Sequence, residues 1–144
     1  MSLLEVRGLK VYFPVQQGVL RRSTSYIKAV DDVNLTIEPG EVVGLAGESG
    51  SGKTTVGRAI LRLIEPTAGQ VLIEGRDLAA LGEEELRRAR EAMQIVFQNP
   101  FAALDPRMNV RKLILEPLEI HQIGDEVSRE KRLRELLHLV GLQE

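Results

Sequence analysis

Gly47-Glu48-Ser49-Gly50-Ser51-Gly52-Lys53-Thr54 is the stretch whose reading decides the fold of this chain. Three glycines alternate with acidic or small polar residues, and the run closes on a lysine and a hydroxyl. Glycine lets the backbone adopt positive φ and approach a ligand closely, so successive amides can turn inward on one anion. Before the run, Glu41 to Ala46 (Glu-Val-Val-Gly-Leu-Ala) is continuously apolar after Pro39-Gly40, which predicts a central parallel strand buried on both faces. After it, Val56, Ile60, Leu61 and Ile64 recur at helical spacing, and Pro66 is expected to close that helix.

Strand, glycine loop and helix in that order are the context a phosphate-binding loop, or P-loop, requires. The helix directs the positive end of its dipole at the same charge that the amides bind. Ser49, Gly50, Ser51, Gly52, Lys53 and Thr54 are expected to supply the amides, with Gly47 opening the turn. Lys53 is placed to reach the β- and γ-phosphates, the Thr54 hydroxyl to ligate magnesium, and Thr55 to face the α-phosphate. The reading implies ATP and Mg2+ as ligands. Glu48, inside the loop, reads as solvated rather than catalytic.

Of 144 residues, 43% are hydrophobic and 28% charged, which fits one soluble globular domain and excludes disordered and fibrous classes. With 19 basic and 21 acidic residues the net charge is −2, and no stretch concentrates Lys or Arg, so nucleic acid is not an expected partner. The absence of cysteine excludes disulfides, thiolate zinc sites and a cysteine nucleophile, and suits an intracellular setting. Met1 to Arg7 lacks the apolar core of a signal peptide. No apolar run approaches the roughly 20 residues of a membrane-spanning helix.

Leu3 to Val6, Val11 to Phe13, Ala29 to Ile37 and Gln70 to Ile73 carry strand-like apolar positions separated by Gly, Pro and Asp31-Asp32, and predict an antiparallel sheet. Pro14 to Tyr26, with Arg21-Arg22, reads as a solvated hairpin connection. Glu83 with Arg87 and Glu84 with Arg88 form i, i+4 pairs on a solvated helix face. Met93 to Phe97 predicts a second buried strand. Leu133, Leu136, Leu137 and Val140 share a face of a helix starting near Asp125 or Ser128, with Gly141 at its C-terminal cap. His121 and His138 have no ligand spacing between them and read as surface or helix-packing residues.

The chain resembles the ATP-binding subunits of ABC transporters, and among them the oligopeptide and dipeptide importer branch. The matching segments are Leu3-Leu4-Glu5-Val6-Arg7-Gly8-Leu9, Lys28-Ala29-Val30-Asp31-Asp32-Val33, Gly44 to Thr55 and Gln94-Ile95-Val96-Phe97-Gln98-Asn99-Pro100, spread over nearly the whole length. The resemblance implies an α/β fold: a P-loop NTPase core with an N-terminal antiparallel β subdomain and the start of an ABC α-helical subdomain, truncated. Residues 1–98 are then the nucleotide-binding core, and 99–144 the Q-loop and the beginning of the helical subdomain. It implies that Tyr12, with Phe13 as fallback, stacks on adenine. It also implies that Gln98, as the Q-loop glutamine, ligates Mg2+ or positions water beside Lys53.

The same resemblance implies partners. The Gln98–Arg107 region would receive a coupling helix of transmembrane permease subunits, and a second ATP-binding subunit would complete a dimer at the cytoplasmic face of the membrane, with the chain peripheral. The implied function is coupling of ATP binding and hydrolysis to import of peptides or a similar solute. The alternatives are a soluble non-transport ABC ATPase and a nucleotide-binding module without catalysis. The family's signature, Walker B, catalytic glutamate and switch histidine are not found in these 144 residues. The chain is therefore expected to bind nucleotide without hydrolysing it, and to self-associate or adopt a swapped arrangement through an uncovered sheet edge and apolar surface.

Overall fold

The structure is a computed structural model that describes residues 2–17 and 23–142. It divides into two compact units, Met1–Arg90 and Glu91–Glu144.

The first unit is built on β1 (Leu4–Gln17), β2 (Ser23–Ile37), β3 (Ala68–Ile73) and β4 (Arg76–Asp77), paired antiparallel in the order β2-β1-β3-β4. The expected antiparallel sheet is present, and its hairpin is longer than the apolar pattern indicates. Pairing runs from Leu4↔Ile37 to Gln17↔Ser23, so much of the segment read as a solvated connection is strand; Arg21 and Arg22 lie outside the described residues. Cross-strand hydrogen bonds do not require apolar side chains, which is why the polar end of the hairpin escaped the pattern.

A bulge in β1 decides which side chains meet the core. The pairing register shifts between Val6 and Leu9, where Gly8 has φ 56 and its amide donates to Asn34 Oδ1 at 2.8 Å. A strand of strict period two would send residues 6, 8 and 10 to one face. The extra residue moves the pattern by one, so Val6, Leu9 and Val11 are all buried. They join Val30 and Val71 of the sheet and Val56 and Ala59 of α1 (Lys53–Ile60), which contacts β1 and β2.

Helix α1 ends earlier than Pro66. Arg62 takes the left-handed conformation at φ 51, and the Leu63 amide bonds back to Arg58 O at 2.8 Å while the Arg62 amide reaches Ala59 O at 3.0 Å. That is a Schellman cap. The strained residue is held by its own guanidinium, which donates to the carbonyls of Leu78 and Leu81 at 2.9 and 3.1 Å. In α2 (Glu83–Ala89), Glu84 accepts from both Arg87 and Arg88.

Two expected buried strands are not formed. Glu41 to Ala46 and Met93 to Phe97 have no regular structure, and Val42 and Val96 are 95% and 93% exposed. An extended run becomes a strand only when a neighbour takes its amides and carbonyls. Among the described residues every paired strand belongs to the antiparallel sheet, and neither run pairs with it.

The second unit contains α3 (Val110–Ile120) and α4 (Glu126–Leu139), which contact one another and bury Leu115 and Leu133. Asn109 caps α3 by accepting from the Lys112 amide, and Asp125 caps α4 by accepting from the Ser128 amide, each at 2.9 Å. Gly141 closes α4 as expected, with Leu142 N bonding to Leu137 O at 2.9 Å. Leu136 and Leu137 are half-buried; Val140, at the cap, is exposed.

Candidate nucleotide-binding site

Residues 41–51 form an exposed loop that leads into α1 through Gly52, the helix N-cap. No side chain caps that terminus and no acidic residue stands in its first turn. The N-terminal amides and the positive end of the helix dipole are thus left for an external anion. Gly52 has φ 91, and a Cβ added there would lie 2.2 Å from the Ala29 carbonyl oxygen. Only glycine lets the loop seat this tightly against β2.

Lys53 folds back over the loop. Its ammonium donates to Gly47 O at 2.8 Å, Glu48 O at 2.5 Å and Ser51 Oγ at 3.0 Å, and the Ser51 amide donates to Glu48 O at 3.2 Å. Gly47, Glu48, Ser51 and Lys53 are therefore brought together directly, with the lysine charge inside the curve of the loop. Ser49, Gly50 and Thr54 are exposed, and Thr55 is half-buried in the first turn of α1. The Glu48 backbone, rather than its carboxylate, takes part.

Tyr12 lies in β1 opposite Lys28 of β2 and is half-buried. Its hydroxyl donates to Asp31, its amide donates to Thr67 Oγ1 at 2.8 Å, and Lys28 Nζ stands 5.3 Å from the ring centroid. The hydrogen bond to Asp31 raises the phenol above its ordinary pKa, and the same bond, with Lys28, lowers the Asp31 carboxyl. Lys28 precedes Ala29, the residue that Gly52 rests against, so a single strand carries both the aromatic site's partner and the seat of the glycine loop. Phe13 is 40% exposed.

In the sequence Asp31 reads with Asp32 as punctuation between strands; its pairing with Tyr12 follows from a hairpin register that composition does not disclose.

Gln98 belongs to the second unit, where it is exposed in a bend after Phe97. Phe101 and Leu104 beyond it are 84% and 49% exposed, and Asp105 binds Arg107 through its amide and guanidinium. The Arg107 side chain lowers the Asp105 carboxyl below its ordinary pKa. His121 Nδ1 lies 3.1 Å from Glu91 Oε1.

Among the described residues no group of three His, Asp or Glu side chains could hold a metal by itself. The exposed Thr54 hydroxyl at the start of α1 is a hard oxygen donor of the kind that magnesium uses alongside phosphate oxygens, so the residues fit an ion delivered with a triphosphate rather than one held in a protein cage.

A glycine loop with an inward lysine, opening a helix that packs on a sheet, defines a P-loop nucleotide-binding protein. The model of the ABC transporter family matches residues 30–144, and the chain belongs to that family. It is 44% identical over 142 residues to the oligopeptide transport ATP-binding protein AppF of Bacillus subtilis (strain 168), covering 98% of this chain and 43% of that protein. It is 43% identical over 141 residues to the glutathione import ATP-binding protein GsiA of Salmonella paratyphi A, covering 98% of this chain and 23% of that one. The chain thus spans less than half the length of either relative.

Among solved structures, the ATP-binding cassette MJ0796, in a dimeric post-hydrolysis state bound to ADP and Pi, superposes with a TM-score of 0.75 at 30% identity, covering 98% of this chain and 58% of that one. The match bears out the expected α/β class, with the β subdomain and helices as the N-terminal part of a cassette. Among the described residues no helix is long and apolar enough to cross a membrane.

Proposed function

We propose that this chain is the triphosphate-holding part of an ATP-driven importer motor whose solute is a peptide or a similar small molecule. The observation that carries the reading is the inward Lys53 ammonium within a loop seated on β2 by Gly52. The name of GsiA, an import protein, supports the importer assignment, and that of AppF, an oligopeptide transport protein, supports a peptide as solute. Residues Ser49 to Thr54 bind the phosphates, Lys53 exchanges its loop carbonyls for β- and γ-oxygens, and Thr54 holds Mg2+. Bound Mg2+ offsets phosphate charge and orients the terminal phosphoryl group. Tyr12 stacks on adenine.

Gln98 positions water or the metal-bound end of the nucleotide, and the Gln98–Arg107 region, with Phe101 and Leu104 exposed, receives a permease subunit at the cytoplasmic face of the membrane. A second ATP-binding subunit completes the assembly, as the dimeric MJ0796 cassette suggests. Residues 1–98 act as the nucleotide-binding core and 99–144 as the start of the helical subdomain. The chain itself binds ATP without turning it over, since the loop offers no side chain placed to activate water.

The test is ATP binding by the purified chain with and without Mg2+, compared with Thr54→Ala. Magnesium should strengthen binding to the parent and have little effect on the variant. Failure of the parent chain to bind ATP overturns the reading.

A further inference from the structure

The surroundings of Tyr12 contain more than a base platform requires. The Asp31 carboxylate gathers three groups: the Tyr12 hydroxyl, Lys28 Nζ at 3.1 Å from Oδ2, and Lys10 Nζ at 3.8 Å from Oδ1. The other end of the tyrosine is fixed through its amide to Thr67 Oγ1, and Thr67 in turn donates its amide to Lys10 O at 2.8 Å. A half-buried aromatic ring tied at both backbone and hydroxyl has fewer rotamers open to it before any ligand arrives. Such preorganisation raises affinity by removing an ordering cost from the binding step.

Lys28 adds a second effect. Its ammonium stands over the ring at 5.3 Å from the centroid, within the range of a cation–π contact, and Asp31 holds it there. The same carboxylate accepts from both the phenol and that ammonium, through Oδ1 and Oδ2. The carboxylate also offsets one of the two ammonium charges that Lys10 and Lys28 bring beside the ring.

We propose that Asp31 is the positioning residue of the base platform, holding the Tyr12 ring and Lys28 in the arrangement that sets how much a nucleotide's base adds to its affinity. The inference rests on the reading of Tyr12 as the stacking residue. Asp31 does not touch the nucleotide. It acts through the tyrosine, and its effect is confined to the base, with the phosphate loop unaltered.

The test compares ATP with inorganic tripolyphosphate, which keeps the phosphates and lacks the base, as ligands of the purified chain. The ratio of the two affinities reports the nucleoside, base and ribose together, and Tyr12→Ala marks the part of it that the stacked base contributes. Tyr12→Ala should cut the ratio about tenfold, and Asp31→Ala and the isosteric Tyr12→Phe about three- to fivefold each, with tripolyphosphate binding near the parent value. If Tyr12→Ala leaves the ratio unchanged, the stacking reading fails and the inference with it. If Tyr12→Ala lowers the ratio while Tyr12→Phe and Asp31→Ala keep the parent value, stacking stands and the role of Asp31 is overturned.

Discussion

Gly52 rests on the backbone of Ala29 so closely that a Cβ there would lie 2.2 Å from the Ala29 carbonyl oxygen. The phosphate loop is thereby seated on β2, one residue from the lysine that covers Tyr12. Because the opposing atom is backbone, it cannot rotate away, and φ 91 adds strain for any L side chain. Gly52→Ala should cost about 2–3 kcal/mol and remove nucleotide binding. Gly57→Ala is the control: nothing lies within 4 Å of its added Cβ, inside α1. That change should be neutral or stabilising by up to about 1 kcal/mol. Urea midpoints of the two variants check both.

Val42 and Val96 stand 95% and 93% exposed in irregular runs that no described strand pairs. Unpaired backbone and apolar side chains together favour association between chains. Light scattering on the purified chain should give a mass above that of a monomer, rising with concentration. Val42→Lys with Val96→Lys should lower it. A monomer at all concentrations, unfolding cooperatively, contradicts this.

Asp31 makes the aromatic cluster sensitive at both ends of the pH range. Its carboxyl is lowered by the Tyr12 hydrogen bond and by Lys28, so its contribution is present above its unfolded pKa of about 3.9 and lost as pH falls through the folded value. The Tyr12 phenol is raised, so its contribution is present below about 10 and lost as pH rises through the folded value. Asp31→Asn should flatten both limbs of a plot of melting temperature against pH. Unchanged limbs would show that the cluster contributes nothing measurable.

ATP turnover by the chain should not exceed that of its Lys53→Ala variant, measured as phosphate release under saturating MgATP. The loop supplies binding groups, while general-base chemistry needs a residue within reach of the attacking water. Turnover clearly above the variant's contradicts the expectation.

The glycine loop was legible because its function constrains consecutive residues: Gly47 to Thr54 must combine small size, positive φ and a lysine within one turn. The caps of α4 at Asp125 and Gly141 were legible for the same local reason. The runs Glu41–Ala46 and Met93–Phe97 carry the composition of buried strands, but a strand depends on a pairing partner that composition does not contain. The end of α1 at Arg62 was masked by Pro66, the stronger local stop signal, while the guanidinium bonds that hold Arg62 reach across to Leu78 and Leu81. The link between Tyr12 and Asp31 depends on the bulged register of the hairpin, which sets the facing residues only once both strands are paired.

Calorimetric titration of the chain with MgATP, against Lys53→Ala, tests the phosphate site most directly. The ammonium lies among the Gly47 and Glu48 carbonyls and Ser51 Oγ, so removing it deletes the one positive side chain the loop encloses. The parent chain should bind MgATP, and the variant should bind at least about tenfold more weakly, as expected for loss of a charge-assisted phosphate contact. Equal affinity in the two proteins would contradict the assignment of this loop as the triphosphate site.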